Sequence, residues 1–203
     1  MTEVKLTKLE LRNQQIKLGQ LQKYLPTLQL KKAMLQAEVN AAQAEIMRLE
    51  NAFTTAQKRV LNYSSLLTSR ASSDLFAAIR IREVRVHHEN IAGIDVPCFD
   101  DILFEPAEYA LFDTPIWMEA AASGIQLLLS LKEQLRVSRE KKIALEKELR
   151  EVSIRVNLFE KIMIPRAFEN IKKIKIFLGD QQLAAVSRAK VAKRKIEERA
   201  GDR

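Results

Sequence analysis

One apolar stripe constrains this chain more than any other feature. Steps of three and four residues taken alternately from Leu18 land on Leu21, Leu25, Leu28, Lys32, Leu35, Val39, Ala42, Ile46, Leu49, Phe53, Ala56, Val60, Tyr63 and Leu67. Fourteen of these fifteen positions are apolar, so one face of a long helix is committed to a partner. A 3.5-residue repeat keeps that face turned to the partner in a left-handed coiled coil. At about 1.5 Å per residue the stripe runs about 75 Å, longer than a globular domain of this mass is wide, and a rod is expected. Pro26 lacks an amide donor and crowds the preceding turn, which predicts a kink or a restart there.

A second stripe has the same spacing. From Leu128 it passes through Leu131, Leu135, Ser138, Lys142, Leu145, Leu149, Val152, Val156, Phe159 and Met163. Beyond Pro165 the apolar residues Phe168, Ile171, Ile174, Leu178 and Ala185 continue helically but leave that register, Gly179 weakens the helix, and a bend is expected at Pro165. Folding the two stripes back on each other as an antiparallel pair buries both. The competing arrangement makes them half of a four-helix bundle, completed by a second copy or another subunit.

The composition fits few loops and much charged surface. Only five glycines and five prolines occur among 203 residues, while 47% are apolar and 30% charged. The net charge of +8 is segregated: residues 1–74 carry 11 basic and 6 acidic side chains, residues 75–115 carry 3 and 8, and residues 116–203 carry 20 and 12. Pro97, Pro106 and Pro115 fall in the acidic middle. The expected organisation is an N-terminal coiled-coil helix over 1–74, an acidic insert over 75–115 and a C-terminal coiled-coil helix over 116–203. Together these form one elongated, mainly α domain. A single cysteine excludes a disulfide framework, and no stretch resembles a signal peptide, so a reducing cytoplasm is expected. No apolar run approaches the roughly 18 residues that span a bilayer.

Within the insert, Ile79, Ile81, Val84, Val86 and His88 approximate a period of two, Asn90 to Gly93 is turn material, and Ile94, Val96 and Cys98 alternate again. This predicts a β-hairpin, an irregular segment from Phe99 to Pro115 and a helix from about Ile116. A lone hairpin is marginal in water and needs a surface to lean on, either the coiled coil or a partner.

Catalytic chemistry is not in view. No Gly-rich phosphate loop is present. His87 and His88 are neighbours on a strand and point to opposite faces, which argues against a shared metal. Cys98 reads as a small apolar residue rather than a nucleophile, and Asp100 and Asp101 as solvated charge. No catalytic residue, metal or cofactor is expected. From Arg188 to Arg203 seven basic side chains face three acids, a pattern open to nucleic acid, an anionic membrane or a protein surface. The absence of interleaved aromatics favours a solvated or protein-facing helix end.

The segment from Val156 to Pro165 (V-N-L-F-E-K-I-M-I-P), continued by Phe168, Ile171 and Ile174, resembles the hallmark of the D subunit of V-type and archaeal-type rotary ATPases, roughly V-N-A-L-E-x-x-x-I-P. Thr7-Lys8 with Leu28, Lys31, Lys32 and Leu35 resembles the opening helix of that family, and Asn90 to Pro97 its central hairpin. Leu158-Phe159 replaces the usual small residue and leucine. The resemblance implies a non-catalytic central rotor shaft that couples ATP hydrolysis or synthesis to ion translocation. It also implies partners: the catalytic and regulatory head subunits, the small F subunit of the stalk and a membrane-ring adaptor. No nucleic acid and no direct membrane insertion are expected. The hairpin residues Val84, Val86, Ile91, Gly93, Ile94 and Val96 would face the F subunit. Lys31, Lys32, Asn157, Glu160, Pro165, Lys193, Arg194 and Lys195 would face the head. A coiled-coil adaptor or secretion-apparatus stalk protein shares the two stripes without requiring the motif, and a nucleic-acid-binding coiled coil would use the basic tail.

Overall fold

The computed structural model describes residues 4–62, 75, 79–105 and 115–201, with side chains through 197. The expectations at Tyr63, Leu67, Pro106 and Arg203 lie outside these, as does the Arg199 side chain. The fold is mainly α. Helix α1 (Lys8–Leu61) is followed by strands β1 (Ile81–Ile91) and β2 (Ile94–Phe104), helix α2 (Trp117–Leu158), a π-helical turn (Phe159–Met163) and helix α3 (Ile164–Gly201). Two compact units result, one from residues 1–30 with 152–203 and one from 31–151.

Thr7 starts α1: its Oγ1 accepts the Glu10 N–H at 3.2 Å and its carbonyl accepts the Leu11 N–H at 3.0 Å, satisfying amides that a helix start leaves open. Lys58 and Arg59 in the last turn complement the helix dipole. Every stripe position from Leu18 to Val60 is buried or half-buried. Pro26 does not restart the helix, which runs through it unbroken for 54 residues. Gln22 and Pro26 both lie on the exposed face, so the carbonyl that Pro26 leaves without an amide partner is open to water.

In the unit of residues 31–151, α1 and α2 pair antiparallel. Lys31 Nζ meets Glu148 Oε1 at 2.8 Å, and further along α1 Glu50 Oε1 meets Arg139 Nη2 at 2.8 Å, so positions rise on one helix as they fall on the other. Near the end of α1 a Cβ on Gly124 would sit 3.1 Å from Val60 Cγ2, so the missing side chain permits a close approach. Leu35, Val39, Ala42, Ile46, Leu135 and Leu145 fill the seam. A satellite cluster joins Leu75 to Met118, Ala121 and Ala122, with Ile79, Trp117 and Ile125 packed against it.

The hairpin belongs to the same unit and is longer than the alternation predicts. Strand β2 continues through Phe104, so residues 99–104 are strand rather than irregular. Residue Arg82 is extra on β1 and Asp100 is extra on β2, and these two register shifts let the ladder continue where a strict period of two fails. Ala92 (φ 52°) and Gly93 (φ 84°) make the two-residue turn, with both residues in the left-handed region that the twist of a tight hairpin demands. The Gly93 N–H donates to Asn90 Oδ1 at 3.1 Å, and Asn90 Nδ2 donates to Asp95 Oδ1 at 2.7 Å. Lys141 Nζ on α2 reaches Cys98 Sγ at 3.8 Å, so the hairpin touches the coiled coil there.

The unit of residues 1–30 and 152–203 buries Leu21, Val152, Val156, Ala167, Ile171 and Ile174. The π turn explains the register change seen in the sequence. Ile164 N–H bonds the Phe159 carbonyl, five residues back, so the turn holds one residue more than an α-turn. A continued heptad would bury positions 166, 170 and 173; the buried residues Ala167, Ile171 and Ile174 come one position later. Pro165 supplies a second cause, because its ring would crowd the Lys161 carbonyl in a regular α-turn and a wider turn gives it room. Helix α3 then continues through Gly179.

Stability should follow the seam. Leu145→Ala, at a fully buried position, is expected to cost about 2–5 kcal/mol. Ile143→Ala, at a side chain 65% exposed, should cost below about 0.5 kcal/mol. Urea unfolding followed by circular dichroism checks both; equal losses would contradict this seam assignment.

Candidate interaction surfaces

The hairpin residues expected to meet a partner divide by burial. Val96 is 0% exposed, so its side chain packs within the chain. Val84, Val86, Ile91 and Ile94 are half-buried, and Gly93 at the turn is exposed. An outside surface would therefore meet the turn and the β1 side. On β1, His87 Nδ1 lies 2.6 Å from Asp100 Oδ1, the extra residue of β2, which ties the bulge to the facing strand. His88 pairs across from Pro97. Among the described residues no group of side chains has the makings of a metal site.

Cys98 is half-buried between two opposite charges. Its thiol donates to Glu89 Oε2 at 3.5 Å, and the Lys141 ammonium donates to its sulfur at 3.8 Å. Burial pushes the thiol above its ordinary range, the Glu89 carboxylate adds to that, and Lys141 opposes both. A nucleophilic cysteine needs the reverse balance.

On the coiled coil, Lys31 is engaged with Glu148, and Lys32 sits half-buried in the seam itself. The Lys31–Glu148 pair serves the pairing of α1 with α2. Asn157, Glu160 and Pro165 surround the π turn and are exposed. Beside them lies an open groove of about 600 Å³ that no sequence pattern announces. Val4, Lys5, Glu10, Gln14 and Lys17 line one side, and Leu158, Ile162, Met163, Arg166, Ala167 and Asn170 the other. Residues so far apart in sequence form no motif, and only the pairing of the N-terminal segment with the π-turn region brings them together.

Helix α3 is exposed at every position from Asp180 to Ile196, including Lys193, Arg194 and Lys195. Lys193 Nζ lies 3.7 Å from Glu197 Oε1 one turn on, a surface pair that contributes little. Apolar Leu183, Val186, Val191 and Ile196 are exposed among these cations. No helix among the described residues is long and apolar enough to cross a membrane.

The model of the ATP synthase D-subunit family matches residues 10–194. A V-type ATP synthase D subunit of Chlamydia pneumoniae is 41% identical over 196 residues, covering 96% of this chain and 94% of that protein. The protein of the same name from Chlamydia caviae is 40% identical over 199 residues, with 98% and 96% covered. That of Chlamydia trachomatis serovar L2 is 38% identical over 200 residues, with 97% and 98% covered.

The surroundings of Cys98 make a prediction in alkylation kinetics. At mildly alkaline pH the thiol should react with iodoacetamide more slowly than free cysteine, because less of it is thiolate. Glu89→Gln should speed the reaction by removing a group that holds the proton on, and Lys141→Met should slow it. The opposite order for the two variants would contradict the contacts described.

Proposed function

The chain belongs to the ATP synthase D-subunit family, and from that premise we propose that it is the central rotor stalk of a V-type ATPase or ATP synthase. In this reading it carries torque between ATP turnover in a catalytic head and ion translocation by a membrane ring, and contributes no catalytic group itself. It works at the membrane's cytoplasmic face as a peripheral subunit of the complex. The observation that carries the reading is a family match along nearly the whole length of a chain built from a 54-residue helix and its antiparallel partner.

Torque transmission asks for stiffness along an axis and a surface that moves against neighbours without sticking. Within each unit the buried apolar side chains between the helices supply the first, since packed interiors resist deformation. The second is served by charged side chains that cover the outer faces of the helices and keep their own hydration. The turn and β1 side of the hairpin, with Val84, Val86, Ile91, Gly93 and Ile94, are assigned to the small F subunit of the stalk and the ring adaptor. Asn157, Glu160, Pro165 and the tail cations Lys193, Arg194 and Lys195 are assigned to the head's catalytic and regulatory subunits, while Lys31 and Lys32 hold the seam. The widened turn ahead of Pro165 is assigned the contact that presses on the head's subunits in succession.

Two experiments test this. Co-purification with the ATPase head and the F subunit should give one chain per head hexamer and change ATP turnover; a stable homodimer that binds neither partner would favour a coiled-coil adaptor. Deleting Lys161 together with Pro165→Ala removes both causes of the π turn and should leave a continuous α-helix. In reconstituted vesicles the ions moved per ATP should fall while head binding persists, and unchanged coupling would contradict the role given to the turn.

A further inference from the structure

We propose that the groove beside the π turn docks an acidic segment of a partner polypeptide, one carrying two or more carboxylates around an apolar residue. The inference rests on the stalk reading for the partner's identity as a subunit of the same complex, but the chemistry of the groove stands apart from it.

Charge is the first argument. Lys5, Lys17 and Arg166 line the groove, are exposed, and have no side-chain ion pair or hydrogen bond among the described residues. Elsewhere in the chain Lys31, Arg136 and Arg139 are each matched by a glutamate. The one acid of the groove, Glu10, is occupied: its Oε1 accepts from Gln14 Nε2 at 2.8 Å along α1. Three cations thus face one acid across one open space, none of them ion-paired among the described residues, and the lining keeps an excess of positive charge.

The floor argues for a polypeptide over a small anion. Leu158 and Ile162 remain exposed at 40% and 55% beside the cations, one turn apart on the same face. A phosphate would leave that apolar surface bare, whereas an apolar side chain between carboxylates covers it. Of the first four amides of α1, only that of Glu10 belongs to a lining residue, and it is already bonded to Thr7 Oγ1. A single-stranded nucleic acid would need stacking partners, and none of the lining residues is aromatic. The extra residue of the π turn sets the groove's shape, since it rotates the residues after it, Arg166 included, by about 100° relative to a regular helix.

The test uses the full chain. Lys5→Glu, Lys17→Glu and Arg166→Glu are combined in one variant, with the corresponding glutamine triple as a milder version. A control reverses Lys23, Lys173 and Lys190, which are exposed cations of the same unit outside the groove. Circular dichroism checks that helix content is kept. Affinity for the purified head at low salt should fall about tenfold in the groove variant, and its salt dependence should flatten, with the control much less affected. A fluorescein-labelled peptide of glutamates flanking paired leucines should bind the wild type and not the groove variant, and millimolar phosphate or ATP should displace it no better than chloride of equal ionic strength. Wild-type head affinity in the groove variant, unchanged peptide binding, or displacement by phosphate as a generic anion would each overturn the proposal. Failure of the wild type itself to bind the head would overturn the stalk reading, and the peptide measurement then decides the groove on its own.

Discussion

The seam of α1 is the interaction on which the rest depends, because a 54-residue helix with one apolar stripe has no stable form until that stripe is covered. Within residues 31–151 the second stripe covers it, as the two inter-helix ion pairs show. Ser138 is buried in the seam, while Lys32 and Lys142 are half-buried there, Lys142 reaching Glu146 at 3.3 Å. Polar residues at such positions weaken a coiled coil but select its register. The paired ions Lys31–Glu148 and Glu50–Arg139 lie at the margin and act in the same direction. The hairpin touches α2 where Lys141 meets Cys98, so that contact too depends on where α2 lies.

A coiled coil that must also carry an irregularity has to place it where the register allows. The π turn is such a place: one added residue moves the buried stripe from the Phe159 and Met163 series to Ala167, Ile171 and Ile174 without breaking the helix. Pro165 alone could have been accommodated as Pro26 is, on an exposed face with no change of hydrogen-bond pattern. The difference lies in the apolar sequence beyond it, which demands the shift whatever stands at position 165. A feature set by two independent causes is hard to lose by single substitution, and widened turns of this kind recur where helices do work.

Much of this was legible in the sequence because it depends on local periodicity. The two stripes, the turn at Ala92-Gly93 and the start of α2 near Ile116 come from spacing and turn chemistry alone. The continuity of α1 through Pro26 was not legible, since whether a freed carbonyl meets water depends on which face is covered. The length of β2 was hidden by its bulge, as the extra residue Asp100 destroys the alternation by which a strand is recognised. The register change after Pro165 was visible, yet its cause was not, because a π turn leaves no residue signature of its own. The groove was invisible: Lys5, Lys17 and Arg166 meet only through tertiary pairing, and in sequence each is one more cation among 34.

The role assigned to this chain is motion, and motion is what should be measured. A bead attached through a cysteine placed at Ala92, with Cys98 replaced by serine, would report on the hairpin of a chain assembled into an immobilised ATPase head. On adding ATP the bead should rotate continuously in one direction and stop when ATP is withdrawn. A bead that only fluctuates while the same assemblies hydrolyse ATP at full rate would contradict the claim that this chain is the rotor.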